Sequence, residues 1–343
     1  MKAWRGAGQQ AGSTGPADAA TLHELRRRGI DLDPEGSVDD PSPGHAHPHR
    51  RAAPGEPPII GIVGAGAVGT ALGAALARAG WPVAAVASRD PARRERFRGF
   101  VPGVRAFAEA NALLDEVELI ILAVPDDVIT ELAGRLHMYS GQAMVHTSGA
   151  LGAEVLEPAR AAGTQVGGFH PLVAFADTER AMAAFRGATV AVEGDEQLTA
   201  LLADMAEAIG ATAVRLLPGS KAAYHAAAVL SAGGFVALLD AIAELGRVAG
   251  LDEAGSLAVY GGLIEQTLGN ARALGISKAL TGPITRGDVG TLRRHLAALA
   301  RHAPAVLPLY AAAAEREIGL AEARGAIGPE VATAMRDVLA GGG

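Results

Sequence analysis

The chain has 343 residues; 49% are apolar, enough for the buried cores of two or three domains, and only 20% are charged, which excludes a wholly disordered protein. A formal net charge of -7 offers no basic field for nucleic-acid phosphates, and the absence of cysteine excludes disulfides, thiol nucleophiles and thiolate metal sites. Arginine so outnumbers lysine that only Lys2, Lys221 and Lys278 occur, which makes an internal lysine worth attention.

Residues 1–57 are dominated by Pro, Gly, His and Ala, and 41–58 read PSPGHAHPHRRAAPGEPP, a composition that predicts a disordered, solvated tail. Only 17–28 suits a short helix. His45, His47, His49 and Arg50 lie in a carboxylate-poor tract without a second ligand cluster, so no metal site is expected. No apolar stretch of signal-peptide length opens the chain, which points to the cytoplasm.

From Pro58 the periodicity changes. Apolar runs at 59–63, 83–87, 118–124, 143–145, 165–168, 188–192 and 212–215 predict strands, and helical spacing at 67–79, 92–98, 127–136 and 153–162 falls between the earlier ones. That alternation predicts an α/β domain over 58–217, a parallel sheet covered on both faces. After 218 only helical patterns remain, broken at Gly250, Gly275 and Gly282-Pro283, so 218–340 is expected to be all-helical. The apolar run 222–239 approaches membrane-span length. It contains His225, Ser231 and Gly233-Gly234 between the charges of Lys221 and Asp240, and is expected to be buried in protein rather than lipid.

Residues 59–69 read IIGIVGAGAVG. Gly64, Gly66 and Gly69 have the G-x-G-x-x-G spacing, directly after a strand and opening a helix, with a second strand about 20 residues on. The first glycine permits a tight turn, the second a close approach of backbone to pyrophosphate, and the third packing of helix on strand. Ala65, Ala67 and Val68 complete the turn. At the end of the second strand, where an NAD site places an acid for the ribose 2′-hydroxyl, this chain has Ser88 and Arg89, with Asp90 late. A hydroxyl and a guanidinium suit a 2′-phosphate, so NADP is favoured over NAD.

Ligands of such sheets bind beyond the carboxyl ends of the strands. Val124, Pro125 and Asp126 follow one strand there, as expected neighbours of a nicotinamide. His146-Thr147-Ser148-Gly149 follows the next, with Thr147 and Ser148 either lining the cofactor or merely capping a helix. His170 ends a further strand before Pro171. Lys221 and His225, four apart on one helix face with Tyr224 beside them, either point together at a substrate carbonyl or carboxylate, or Lys221 is a helix-start lysine in water. Arg286, in the helix-breaking ALTGPITRGD at 279–288, either binds a substrate carboxylate or pairs with Asp288.

Taken in order, GIVGAGAVG, AVPDD, HTSGALG, GFHPL, KAAYHAAAVL and LTGPITRGD resemble the Rossmann-like proteins that carry domain of unknown function 2520, over about residues 58–340. That family is similar in layout to ketopantoate reductase, pyrroline-5-carboxylate reductase and prephenate dehydrogenase, which join a nucleotide-binding domain to a helical domain that often dimerises. The resemblance implies a Rossmann-type domain at 58–217 and a helical substrate and dimerisation domain at 218–340. GFHP is similar to the histidine-proline motif of prephenate dehydrogenases, and Lys221 stands about where ketopantoate reductases carry a catalytic lysine. Such enzymes follow the lysine with an asparagine on the same helix; here 231–234 read SAGG, with no amide.

The expected function is therefore an NADP-dependent oxidoreductase acting on a small anionic carbonyl or imine, as a homodimer joined through its C-terminal helices. No nucleic-acid or membrane partner is expected. Lys221 or His170 would donate the proton, with His225 and Arg286 assisting. The rival class is a non-catalytic NADP-binding sensor.

Overall fold

The computed structural model describes residues 56–175 and 177–341. All of the expected tail but its last two residues, with its histidines, lies outside them. The chain divides after Val229 into two compact units, twelve residues beyond the expected 217/218 boundary.

The first unit is built on one sheet of eight strands: β1 (Ile60–Val63), β2 (Val83–Ala87), β3 (Arg105–Phe107), β4 (Leu119–Leu122), β5 (Ala143–His146), β6 (Gln165–Pro171), β7 (Thr189–Gly194) and β8 (Thr212–Arg215). Their order across the sheet is β3-β2-β1-β4-β5-β6-β7-β8. β1, β4 and β5 are buried at every residue, which explains why they read as unbroken apolar runs: both faces are covered. Alternation persists beneath the run. Leu119 and Ile121 of β4 join one core with Ile60, Ile62 and Phe97, whereas Ile120 and Leu122 join the core on the other face with Leu113 and Met144.

The helices of this unit are α1 (Ala67–Arg78), α2 (Pro91–Phe100), α3 (Asp126–Arg135), α4 (Thr178–Ala184), α5 (Glu196–Ala208) and α6 (Lys221–Val229). Two local expectations are corrected. Residues 153–162 form a 3-10 segment rather than an α-helix, with Pro158 inside it and Gly163 in the left-handed region at φ 72°; proline supplies no N–H to an α-helical ladder. The sheet is also not wholly parallel, because β6 and β7 pair antiparallel while every other pair is parallel. Antiparallel neighbours need no crossover, and the short α4 between them suffices.

The second unit contains α7 (Phe235–Val248), α8 (Glu253–Leu274), α9 (Ile276–Ala279), α10 (Val289–His302), α11 (Leu307–Ala323) and α12 (Pro329–Ala340). Ile284, Leu292, Ile318, Ala332 and Met335 form its larger core, and Leu299, Ala303 and Val306 its smaller one. A π-helical turn, Leu230–Gly234, connects α6 to α7. The resulting helical stretch, Lys221–Val248, is 28 residues with a mean hydropathy of 1.9, long and apolar enough to cross a membrane, and only 11% of its apolar window is buried. The expectation of a helix buried in protein is thus not met within one chain. Its first turn nevertheless belongs to the α/β unit, where Lys221 is 5% exposed and ion-paired to Glu193 of β7.

Candidate functional site

The turn from β1 to α1 has three glycines with three different reasons. Gly64 has φ 109°, and a Cβ on it would stand 2.1 Å from the Ala123 carbonyl oxygen after β4. A Cβ on Gly69 would stand 2.0 Å from the Gly64 carbonyl oxygen. Gly66 is extended backbone, and a Cβ there would meet no atom within 4 Å. Two glycines therefore serve the fold, and the third leaves an open approach to the start of α1. That helix end has no side-chain cap and no acid in its first turn, a setting that favours an anion. Ala65, Ala67 and Val68 lie in the same turn, and Val124 lies 3.1 Å from the Gly64 Cβ position.

At the end of β2 the acid that follows Arg89 is committed elsewhere. Asp90 accepts from the Ala92 and Arg93 amides at 2.8 and 3.2 Å, capping α2, and pairs with Arg93. Arg89 is exposed and has no partner among the described residues. Ser88 accepts weakly from the Asp90 amide at 3.3 Å. A 2′-phosphate fits this arrangement better than a bare ribose.

Beyond β4 and β5 two loops are tied together. Ser148 Oγ donates to Asp126 Oδ2 at 2.8 Å and accepts from the Ala150 and Leu151 amides at 3.2 and 3.0 Å. The Ser148 amide donates to His146 Nδ1 at 3.2 Å, and His146 Nε2 donates to the Gly152 carbonyl at 3.0 Å. Thr147 Oγ1 donates back to the Leu122 carbonyl. His146 is fully buried, and burial, followed by the charge of Lys221, lowers its pKa to about 4. It is therefore a neutral hub with both nitrogens used.

Beyond β6 the remaining candidates converge. His170 Nδ1 and the Tyr224 hydroxyl lie 3.2 Å apart, and the ring of His170 meets those of Tyr224 and His225 edge-on, with centroids 5.7 and 5.6 Å apart. His170 Nε2 and His225 Nδ1 both crowd one point: a Cβ on Gly149 would lie 2.6 and 2.2 Å from them. Only glycine at the end of HTSG admits this approach. His225 Nδ1 is buried with no hydrogen-bond partner among the described residues. Burial, then the charges of Lys221 and His225, lower the His170 pKa to about 4, so its ring is neutral at ordinary pH. Lys221 Nζ donates to Glu193 Oε1 at 2.7 Å.

The structure thus links Gly64 to Val124 and Gly69, Asp126 to Ser148, Gly149 to His170 and His225, His170 to Tyr224, and Lys221 to Glu193, along the carboxyl ends of β1, β4, β5 and β6. Pro125 directly precedes α3. Arg286 lies in the second unit, where it is exposed and has no ion pair among the described residues. Asp288, its expected partner, instead accepts from the amide and hydroxyl of Thr291, which hold its carboxyl below the usual range. Glu193 was missed by sequence reading; its signal was an acid closing an otherwise apolar strand.

Residues 55–171 match the family model of a Rossmann-like domain, and residues 188–317 match that of domain of unknown function 2520. No curated protein matches the chain. Among solved structures, it is similar to a candidate NADP oxidoreductase from Bacteroides fragilis, with TM-score 0.63, 23% identity, and 76% of this chain and 98% of that one covered. It is also similar to the reductive aminase of Aspergillus terreus in complex with NADPH and ethyl-5-oxohexanoate, with TM-score 0.60, 18% identity and coverage of 82% and 99%. A third is 1-pyrroline-5-carboxylate reductase from Streptococcus pyogenes, with TM-score 0.52, 16% identity and coverage of 83% and 98%. At these identities the likeness is one of fold. The chain thus matches a Rossmann-like model followed by a DUF2520 model, the pairing its motifs resemble.

Proposed function

We propose that the protein is an NADP-dependent oxidoreductase that reduces a small, anionic carbonyl or imine. One observation carries this reading: an open glycine turn is joined, by contacts along the strand ends, to a buried ammonium and the neutral imidazoles of His146 and His170. The similar candidate NADP oxidoreductase of Bacteroides fragilis and the NADPH complex of the Aspergillus terreus reductive aminase support it. Residues 64–69 would hold the pyrophosphate, Arg89 with Ser88 the 2′-phosphate, and the loops at 124–126 and 147–148 the nicotinamide end. When bound, NADPH supplies a hydride.

The chain's own part is the proton. His170 carries a full positive charge only below about pH 4, so it is a poor acid at neutral pH. The Lys221 ammonium is the better donor, with His170 and His225 shaping the space beside it. Arg286 retains the proposed role of carboxylate anchor. The protein is proposed to act in the cytoplasm as a homodimer through its C-terminal helices, without nucleic-acid or membrane partners.

NADPH oxidation across a panel of 2-oxoacids and cyclic imines tests the reading. Turnover of at least one member is expected, falling roughly a hundredfold in Lys221→Arg, the usual scale for a lost proton donor. The result favoring the rival, a non-catalytic NADP sensor, is tight NADPH binding with no turnover anywhere. The missing amide at 231–234, where the helix becomes a π turn, is the observation on that side.

A further inference from the structure

Glu193 belongs to no motif, yet it is the acid bonded to Lys221, at 2.7 Å. The two side chains are 19% and 6% exposed. Strand direction makes the contact possible. Because β7 runs antiparallel to β6, Glu193 stands directly opposite Gly168, and opposite residues of such a pair share a face. His170, two residues beyond Gly168, lies on that same face. A Cβ on Gly168 would come within 2.8 Å of Glu193 Oε1 and 3.2 Å of Lys221 Nζ, so glycine there leaves the room the ion pair occupies.

A buried ammonium without a counter-charge carries a large desolvation cost, which a carboxylate at hydrogen-bonding distance offsets. The groups facing Lys221 are Glu193 from β7, His170 from β6 and His146 from β5, with Tyr224 and His225 on its own helix. Asp126, also near the two imidazoles, is bonded to Ser148. Among the described residues, only Glu193 is ion-paired to the ammonium. It takes one of three N–H donors, and the other two have no partner among the described residues.

We propose that Glu193 is the positioning residue of this site: it fixes the Lys221 ammonium over Gly168 as a charged donor with two N–H groups left for a ligand oxygen or nitrogen. Its effect on turnover rests on the reductase reading above; its hold on Lys221 does not.

The test uses the full chain with 13C-labelled lysine. With three lysines in the sequence, three Cε signals are expected, and Lys221→Arg identifies one. In Glu193→Gln, which preserves shape and removes charge, the Lys221 signal is expected to titrate at least one pH unit lower than in the unsubstituted protein. Glu193→Asp should recover most of that difference, and Lys278 should not move. With any substrate found in the panel, Glu193→Gln should lower kcat tenfold or more while KM changes less, and shift the alkaline limb of the rate profile downward. An unchanged Lys221 titration in Glu193→Gln overturns the proposal. If no panel member turns over, the reductase reading fails and the titration still decides the role of Glu193.

Discussion

His146 and His170 show how single residues here depend on burial. Both have pKa values near 4 in the fold, against 6.5 in an unfolded chain. Between those limits the unfolded chain binds more protons, so stability rises with pH. The contribution is complete above about pH 6.5, falls as pH drops through the window, and is gone below about pH 4. His146 is fully buried and carries the larger share; His170 is partly exposed and is discounted accordingly. Urea unfolding at pH 7.5 and 5.0 should differ by about 2–4 kcal/mol, and a pH-independent stability would contradict the burial argument. Lys221 was legible in the sequence, because a chain with three lysines makes each one conspicuous. Glu193 was not, since its partner is set by the register of β7 against β6 and no local pattern encodes strand direction.

Among the elements, the loops after β4 and β5 behave as one piece. The Ser148 hydroxyl hydrogen is committed to Asp126 and its oxygen accepts two amides, so these residues hold the loops together. Asp126→Ala should therefore weaken NADPH binding several-fold while Ser148 is present, and have little further effect in a Ser148→Ala background. Equal losses in both backgrounds, measured by NADPH fluorescence, would mean that Asp126 acts independently of Ser148. The glycine turn was readable because its spacing, the strand before and the helix after agree. The three-residue β3 gave no apolar run, since Arg105 and Ala106 are exposed, and it was missed. Residues 153–162 have helical spacing, and one proline outweighs it.

At the scale of the whole molecule, most of the exposed large apolar side chains lie between Val229 and Ile276, including Leu230 at 72%, Val236 at 64% and Leu263 at 60% exposed. A folded chain rarely leaves so much apolar surface in water. The homodimer proposed above would cover it, and sedimentation at micromolar concentration should show a dimer that Val236→Glu with Leu263→Glu dissociates. A monomer before substitution would refute that assembly. The central claim, that the turn at 64–69 holds NADP, is tested most directly at Gly66, where a side chain meets only open space. Affinities for NADPH and NADH should be measured with Gly66→Val beside the unsubstituted protein, with melting temperatures for both. The unsubstituted protein should bind NADPH at least tenfold more tightly than NADH, as expected for one additional charge-assisted contact. Gly66→Val should melt at the same temperature and lose nearly all NADPH binding. An undiminished NADPH affinity in Gly66→Val, or no binding by the unsubstituted protein, would contradict the account.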